Sequence, residues 1–532
     1  MANRLSSERG TKVLVLEAGG RDWSPNIRIP AGVARMPRKY NWAYRGEPDQ
    51  SRSGVIDTWS AGRVVGGSSS INGMLWVRGN RTDFDRWAAL GCEGWDYEHV
   101  LPFYKQIETY ESGANAYRGG NGPLHVSDLH VSHPSIEAFV AAAVEAGIDR
   151  NEDYNGAQQN GVGHLQFSHH RGQRDSAARA YLAPARRRSN LSVRIGAHVD
   201  RILFDDGRAI GVEYRRGGRR RQSFCRREVV LSAGAIASPK LLMLSGVGPA
   251  DLLRHHGIDV VAESAGVGQG LQEHLFTIMT HLLNIPTLNR ELTPWGVARH
   301  GLNFLLNGTG AATSSFAAAV VFDRPERGNG PPQFELLFAP YALADTEQTE
   351  AVTSGRASKV RHDIHDVTLA TANTVTTLLC ALETQARGSI TLRSASPEAP
   401  PVIKHELAGR PEDIDALIAA CRRTREIFAA DAMRRLVIRE QTPGDAVQTR
   451  EQWERYLLAT TFGGSHPVGT CRMGGDPASV VDPDLRVRGV SGLRVIDASV
   501  MPVISRGNTN APTLVIAEKG ADIMADIIGR KE

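Results

Sequence analysis

The stretch Lys12-Val13-Leu14-Val15-Leu16-Glu17-Ala18-Gly19-Gly20 decides the fold. A continuous Val/Leu run bounded by glycines predicts a strand covered on both faces, as in a parallel sheet. Ahead of it, Ala2-Asn3-Arg4-Leu5 reads as the tail of a helix. A helix tail, a short polar turn and a strand ending in an acid make up the second half of a dinucleotide-binding βαβ unit. On this reading the first strand and the GxGxxG turn are missing from the chain. Val13 to Leu16 then lack a hydrogen-bonding neighbour. The expectation is that the natural start lies upstream, about 30 residues being needed for such a unit, or that this polypeptide is inactive.

Working outward, residues 21–58 carry Pro, Arg, Trp and Gly without a period and read as a long lid loop. Alternating apolar residues flank Asp205-Asp206-Gly207, a hairpin signal. The run Glu228 to Ala235 is a second buried strand, followed by a helix from Ser238 to Leu244 that stops at Gly246. Residues 281–460 mix short strands such as Gly388 to Leu392 with a helix from Pro411 to Phe428, whose first-turn proline and acids suit a helix start. The tail returns to α/β style, with a strand Leu493 to Asp497 and a helix from about Pro512 to Ile528. The fold class is α/β, a Rossmann-like domain plus an α+β domain. Residues 1–280 form the first, 281–460 the second, and 461–532 return to the first.

A chain of 532 residues is too long for one ordinary core. Its net charge of +4 is small for that length and gives no case for nucleic acid or an anionic membrane. The basic run Arg215 to Arg221 reads as a solvated hairpin tip. Cys92, Cys225, Cys380, Cys421 and Cys471 show no metal-ligand or CxxC spacing, so no metal site is expected and a reducing, cytoplasmic compartment fits. Met1 to Arg9 carry no apolar signal-peptide core, and no apolar run is long enough to span a bilayer.

Taken singly, the motifs are modest. Glu17 is either an ordinary strand-end acid or an acceptor for ribose hydroxyls. Gly66-Gly67 and the serines after them are either a plain loop or a cradle allowing close backbone approach to a pyrophosphate. Asp497 is either a cap or a partner for a ribityl hydroxyl. His466 alone would read as a satisfied structural histidine, Asn508 as a turn residue, and Asn510 as a helix N-cap.

Together the motifs resemble the glucose–methanol–choline (GMC) oxidoreductases along nearly the whole chain. Gly62 to Gly79 and on to Trp87 is similar to the family's first signature, and Ser232 to Pro249 (SAGAIASPKLLMLSGVGP) to the second. Ser465 to Gly474 (SHPVGTCRMG) resembles the catalytic-histidine segment, and Leu493 to Asp522, with IDASVMP and GNTNAPT, the C-terminal one. The resemblance implies FAD bound in the Rossmann-like domain, with the second domain covering the isoalloxazine. It also implies oxidation of an alcohol by hydride transfer to flavin N5, with oxygen or a quinone-like carrier as electron acceptor. By motif, His466 falls on the base and Asn508 on the second active-site position. Glu17, Gly67, Asn72, Gly73, Val199, Asp497, Ala498, Asn510 and Pro512 fall on cofactor contacts.

Some positions depart from the pattern. Ile71 stands where some relatives carry a histidine linked covalently to FAD, so the cofactor is expected to be noncovalent. Gly268-Gln269-Gly270-Leu271-Gln272-Glu273-His274 keeps an acid but loses the usual Asn, and its role is left open. Ser60-Ala61-Gly62 lacks the Arg that often precedes the glycine. The segment Thr313 to Ala319, expected near the substrate, has no acid. A quaternary ammonium wants aromatic faces and a carboxylate, so choline is disfavoured against a primary alcohol with an uncharged or aromatic tail. A hydroxynitrile lyase with non-redox FAD is the competing reading within the family. An inactive polypeptide is the competing reading outside it.

Overall fold

The apolar run at residues 13–17 becomes a strand because a second run lies beside it. Val13–Glu17 pairs in parallel with Leu191–Ile195, Val13 opposite Leu191 and Glu17 opposite Ile195. The expectation that Val13 to Leu16 lack a hydrogen-bonding neighbour therefore holds for one edge and fails for the other: one partner comes from far downstream, and among the described residues the pair forms a sheet of two strands alone. The computed structural model describes all residues except 292, 314–316, 326, 327, 329, 343–369, 371 and 530–532. A second parallel pair, Val229–Leu231 with Leu493–Val495, brings the C-terminal segment back to the first domain. The strand Leu493–Val495 is shorter than the run to Asp497 read from the sequence, because the chain turns into a 3-10 turn at Ala498–Val500.

Local signals mostly hold. Ala2–Leu5 is helical. Asp206 and Gly207 both take positive φ, 43° and 69°, as a two-residue hairpin turn requires. The hairpin joins Ala197–Asp205 to Arg208–Arg216, and Arg219–Phe224 adds a third antiparallel strand. The helix at residue 238 starts earlier, at Gly234, and ends at Leu244. Pro411–Ala429 is a helix whose Ile414, Leu417, Ile418, Cys421 and Phe428 are buried. The 21–58 segment contains short helical turns and a strand pair, Tyr44–Arg45 with Thr58–Trp59. Its buried Arg52 bonds Asp49, Asp57 and the carbonyl of Thr461, so its second half is fastened down.

The second domain is built on a seven-stranded antiparallel sheet. Val437–Thr442 lies at one edge, followed by Leu275–Leu283, Thr374–Ala381, Phe334–Ala339, Ala319–Asp323 and Gly161–His164. Phe462–Gly463 pairs with the start of the strand Leu275–Leu283. That strand runs across the 280/281 boundary read from the sequence, and residues 161–164 belong to this sheet too. Short apolar runs do not reveal which sheet they join.

Residues directly opposite one another share a sheet face. Phe462, Phe276, Cys380, Glu335 and Phe322 therefore form one row across five strands. Phe276, Phe322 and Cys380 pack with Met74, Leu75 and Val77, just after Asn72-Gly73. Glu335 is fully buried in this row, and neither carboxyl oxygen has a hydrogen-bond partner among the described residues. Burial pushes its carboxyl up to about 8. A carboxyl raised on folding favours the native state below its unfolded value, and that contribution is lost as pH rises through the folded one. Glu335→Gln is therefore expected to leave Tm nearly unchanged at about pH 5 and to raise it by ~2–4 °C at about pH 8.5. A gain independent of pH, or none at either pH, in scanning calorimetry would contradict this.

Candidate active site

Four strand ends define the first half of the site. Ligands of parallel sheets gather beyond the carboxyl ends of the strands. Beyond Val13–Glu17 and Leu191–Ile195 come Gly19, Gly20 and Gly196, with the Gly196 amide donating to the Gly19 carbonyl at 2.9 Å. Gly20 bridges Val64, which brings the Gly66-Gly67 turn alongside. Gly67 takes φ +56°, and a Cβ built there meets nothing within 4 Å, so this backbone faces open space. Gly234, beyond Val229–Leu231, is the same, with φ +84°.

Glu17 ends its strand half-buried, with Oε1 accepting from the Gly19 amide at 2.6 Å. Oε2 makes no hydrogen bond within the described residues, and burial raises the carboxyl to about 7. An open acceptor beside an open glycine turn fits a ribose diol. Val199 lies half-buried near the start of the next strand, opposite Tyr214 and just before a bulge. Asn72 Oδ1 accepts from Arg174 Nη1 at 2.6 Å and from the Met74 amide at 3.1 Å, which locks the turn through Gly73. Arg174 is itself buried, which lowers its pKa to about 9. These groups fit a dinucleotide cofactor.

Asp497 does not fit its expected contact. Oδ2 accepts from the Gly234 amide at 2.9 Å and Ser238 Oγ at 2.5 Å; Oδ1 accepts from the Ser499 amide at 2.8 Å and Ser499 Oγ at 2.5 Å. A carboxylate offers about four acceptor sites, and all are taken. Asp497 caps the turn that begins at Ala498 and ties the two halves of the domain together. Asn510 is likewise not an N-cap. The helix Asn510–Gly529 begins with it, which leaves the capping position to Thr509 and places Pro512 in the first turn.

The second half of the site is centred on His466. Its backbone is set by two glycines and a strained residue: Gly463 and Gly464, then Ser465 at φ +62°. A Cβ on Gly464 would sit 2.4 Å from Phe276 Cε2 and 3.2 Å from His466 Nδ1, so only glycine lets those rings approach. Val468 and Gln272 form an antiparallel bridge with both amides donating at 3.0 Å, and the Gly464 amide donates to the His274 carbonyl at 3.0 Å. Glu273 Oε1 accepts from the amides of His274, at 2.9 Å, and His466, at 2.7 Å. Gln272 also holds the segment leading to Asn508, through the Pro502 carbonyl and the Ile504 amide, both at 3.1 Å. The buried Arg506 anchors that loop to Asp83 and Glu383.

The imidazole of His466 is held at both nitrogens. Nε2 lies 3.0 Å from Asn508 Nδ2, and Nδ1 lies 3.0 Å from His274 Nδ1. Phe276 meets the ring edge-on at a centroid distance of 6.0 Å, with Phe462 stacked beside it. Burial lowers the imidazole to about 4, so it is neutral at physiological pH; an inflection near the ordinary histidine value is not expected. Burial raises Glu273 to about 8. The structure brings together His466 and Asn508, both singled out in the sequence, with Glu273 and His274, whose segment the sequence left without a role. Phe276 and Phe462 carried no signal at all. Of the Thr313 to Ala319 segment, residues 314–316 lie outside the described residues. Among the described residues no group of three His, Cys, Asp or Glu side chains could hold a metal ion, and no helix is long and apolar enough to cross a membrane.

The chain has a glycine-lined cradle at parallel strand ends and a buried His–Asn pair, and it is an FAD-dependent oxidoreductase acting on CH–OH groups. The chain belongs to the GMC oxidoreductase family, whose N-terminal model matches residues 44–276 and whose C-terminal model matches residues 384–517. It is 40% identical over 529 residues to an oxygen-dependent choline dehydrogenase of Sinorhizobium fredii, covering 98% of this chain and 92% of that one. It is 39% identical over 538 residues to a mitochondrial choline dehydrogenase of Mus musculus, covering 98% and 87%. Among solved structures it is similar to a pyridoxine 4-oxidase from Mesorbium loti, with TM-score 0.86, 26% identity, and coverage of 98% and 96%. A formate oxidase gives TM-score 0.87, 26% identity, and coverage of 98% and 95%.

Ile71, buried beside Ile27, Met36 and Val64, offers no nucleophile to the cofactor. Acid precipitation of the yellow protein should therefore release the flavin into the supernatant; colour kept in the pellet would contradict noncovalent binding.

Proposed function

We propose that this protein oxidises a primary alcohol to an aldehyde, with His466 as the general base. The observation behind this reading is a neutral imidazole, buried among aromatic rings, whose Nε2 is met by an amide donor. An alcohol proton is held about as tightly as that of water, pKa roughly 15.7, and hydride leaves an alkoxide far more readily than a neutral alcohol. A base in hydrogen-bond reach of the hydroxyl must therefore take the proton as the C–H bond breaks. In this mechanism His466 Nε2 gains that proton, and Asn508 Nδ2 turns from Nε2 to the developing alkoxide, orienting it. FAD, when bound, would supply the two-electron acceptor for the hydride, with oxygen or a quinone-like carrier as the final electron acceptor.

The rings of Phe276 and Phe462 favour an alcohol with an uncharged or aromatic tail. The names of the choline dehydrogenase relatives favour a second reading, a quaternary ammonium alcohol. Against it, Glu273 and Glu335 are held protonated by burial, and a cation would first have to ionise one of them.

The test is an anaerobic screen of flavin-loaded protein. Benzylic and aliphatic primary alcohols should bleach the flavin, and oxygen or a quinone analogue should restore it. Bleaching by choline alone would refute the substrate reading. With the best alcohol, His466→Ala should keep FAD and lose kcat/KM by about 10²–10⁴-fold, and Asn508→Ala should lose less. Near-normal turnover by His466→Ala would end the proposal that it is the base.

A further inference from the structure

We propose that His274 is a positioning residue that fixes the tautomer of His466, with Glu273 clamping the backbones of both histidines. The inference rests on His466 being the base, since only then does its tautomer matter to the rate. Two neutral imidazoles in contact through Nδ1 at 3.0 Å share one proton between those atoms. One ring donates and the other accepts, and the far end at Asn508 decides which.

At the His466 end, Asn508 Nδ2 stands 3.0 Å from Nε2. An amide nitrogen can only donate, so Nε2 must carry a lone pair and the proton of His466 sits on Nδ1. The opposite assignment would set an N–H of His466 against the NH2 of Asn508. The direction is therefore His466 Nδ1–H donating to His274 Nδ1, which leaves the His274 proton on Nε2, buried and without a hydrogen-bond partner among the described residues. His466 Nε2 is left free to take a proton from an alcohol.

The two rings stand at 89°, with centroids 5.2 Å apart, which keeps the donor in line with the acceptor's in-plane lone pair. His274 is fully buried, so no solvent water competes for that lone pair. Glu273 Oε1, accepting from both backbone amides, holds the two rings at this separation. Without an acceptor at Nδ1, the tautomer protonated on Nε2 becomes accessible, and that form cannot act as base. The imidazolium formed during turnover would also lose the partner of its Nδ1–H. Both losses fall on the chemical step and leave alcohol binding intact.

The test combines variants with a direct reading of the tautomer. In flavin-loaded protein with ¹⁵N-labelled histidine, NMR should report His466 as the Nδ1–H form. His274→Leu, which removes the acceptor, should lower kcat by about 10–100-fold, as loss of a partner that orients a functional histidine typically does, with KM nearly unchanged and the flavin spectrum intact. His274→Asn puts an amide oxygen near the place of Nδ1 and should recover most of that loss. An Nε2–H form of His466 in the wild type would overturn the proposal, whatever the variants do. So would undiminished kcat in His274→Leu, or an Asn variant as slow as the Leu variant. If the Leu variant fails to fold, the wild-type spectrum and the Asn variant still decide. His466→Ala run alongside separates the two claims: near-normal turnover there removes the base assignment, while the NMR reading needs no turnover.

Discussion

The short bridge between Gln272–His274 and Gly464–Val468 is the constraint from which the rest of the site follows. Backbone hydrogen bonds zip the two segments together, and one buried carboxyl oxygen of Glu273 accepts from an amide on each side. The bridge joins the domains, because Leu275–Leu283 leaves it to become a central strand of the second sheet. Gln272 reaches the other way, to the 502–504 segment that leads to Asn508. His466, Asn508 and the aromatic wall are therefore placed by one eight-residue neighbourhood and the chain it grips.

That arrangement carries an energetic cost, and its location is informative. Glu273 Oε2, His274 Nε2, Ser505 Oγ and Asn508 Oδ1 are buried without hydrogen-bond partners among the described residues, all within this neighbourhood. A buried unpaired polar group costs about 1–3 kcal/mol. Ser465 adds a left-handed backbone conformation at the same place. Strain and unmet polar groups persist where the surrounding structure over-determines them, and here that structure is the tightly packed row of Phe462, Phe276 and Cys380. The same burial that leaves these groups unmet keeps the imidazole of His466 neutral, which is what a base requires.

Much of the fold was legible because its signals are local. The Asp206-Gly207 turn and the proline-led helix at 411 each fix their own conformation, and the Val/Leu run at 13–16 marks a strand by its composition. Pairing was not legible. Val13 meets Leu191, and Leu493 meets Val229, through contacts that no periodicity announces. The site divides the same way. His466 and Asn508 stand in motifs with recognisable neighbours, while Glu273 and His274 gain their meaning only from a bridge to residues far along the chain. Asp497 shows the converse, for its motif suggested a ligand contact and the fold uses all four of its acceptor sites internally. A strand-end acid looks the same in sequence whether it serves a cofactor or ties two strands together.

The central claim is that His466 works as a neutral, buried base whose proton affinity the protein has lowered. The most direct test is the pH dependence of kcat/KM for the best alcohol, which reports ionisations of the free enzyme. With the imidazole at about 4, the account predicts a level profile from about pH 5.5 to 8, with no inflection near the ordinary histidine value of about 6.5. A tenfold fall per pH unit below about 6.5 would show a base that titrates as in water, and would contradict the account.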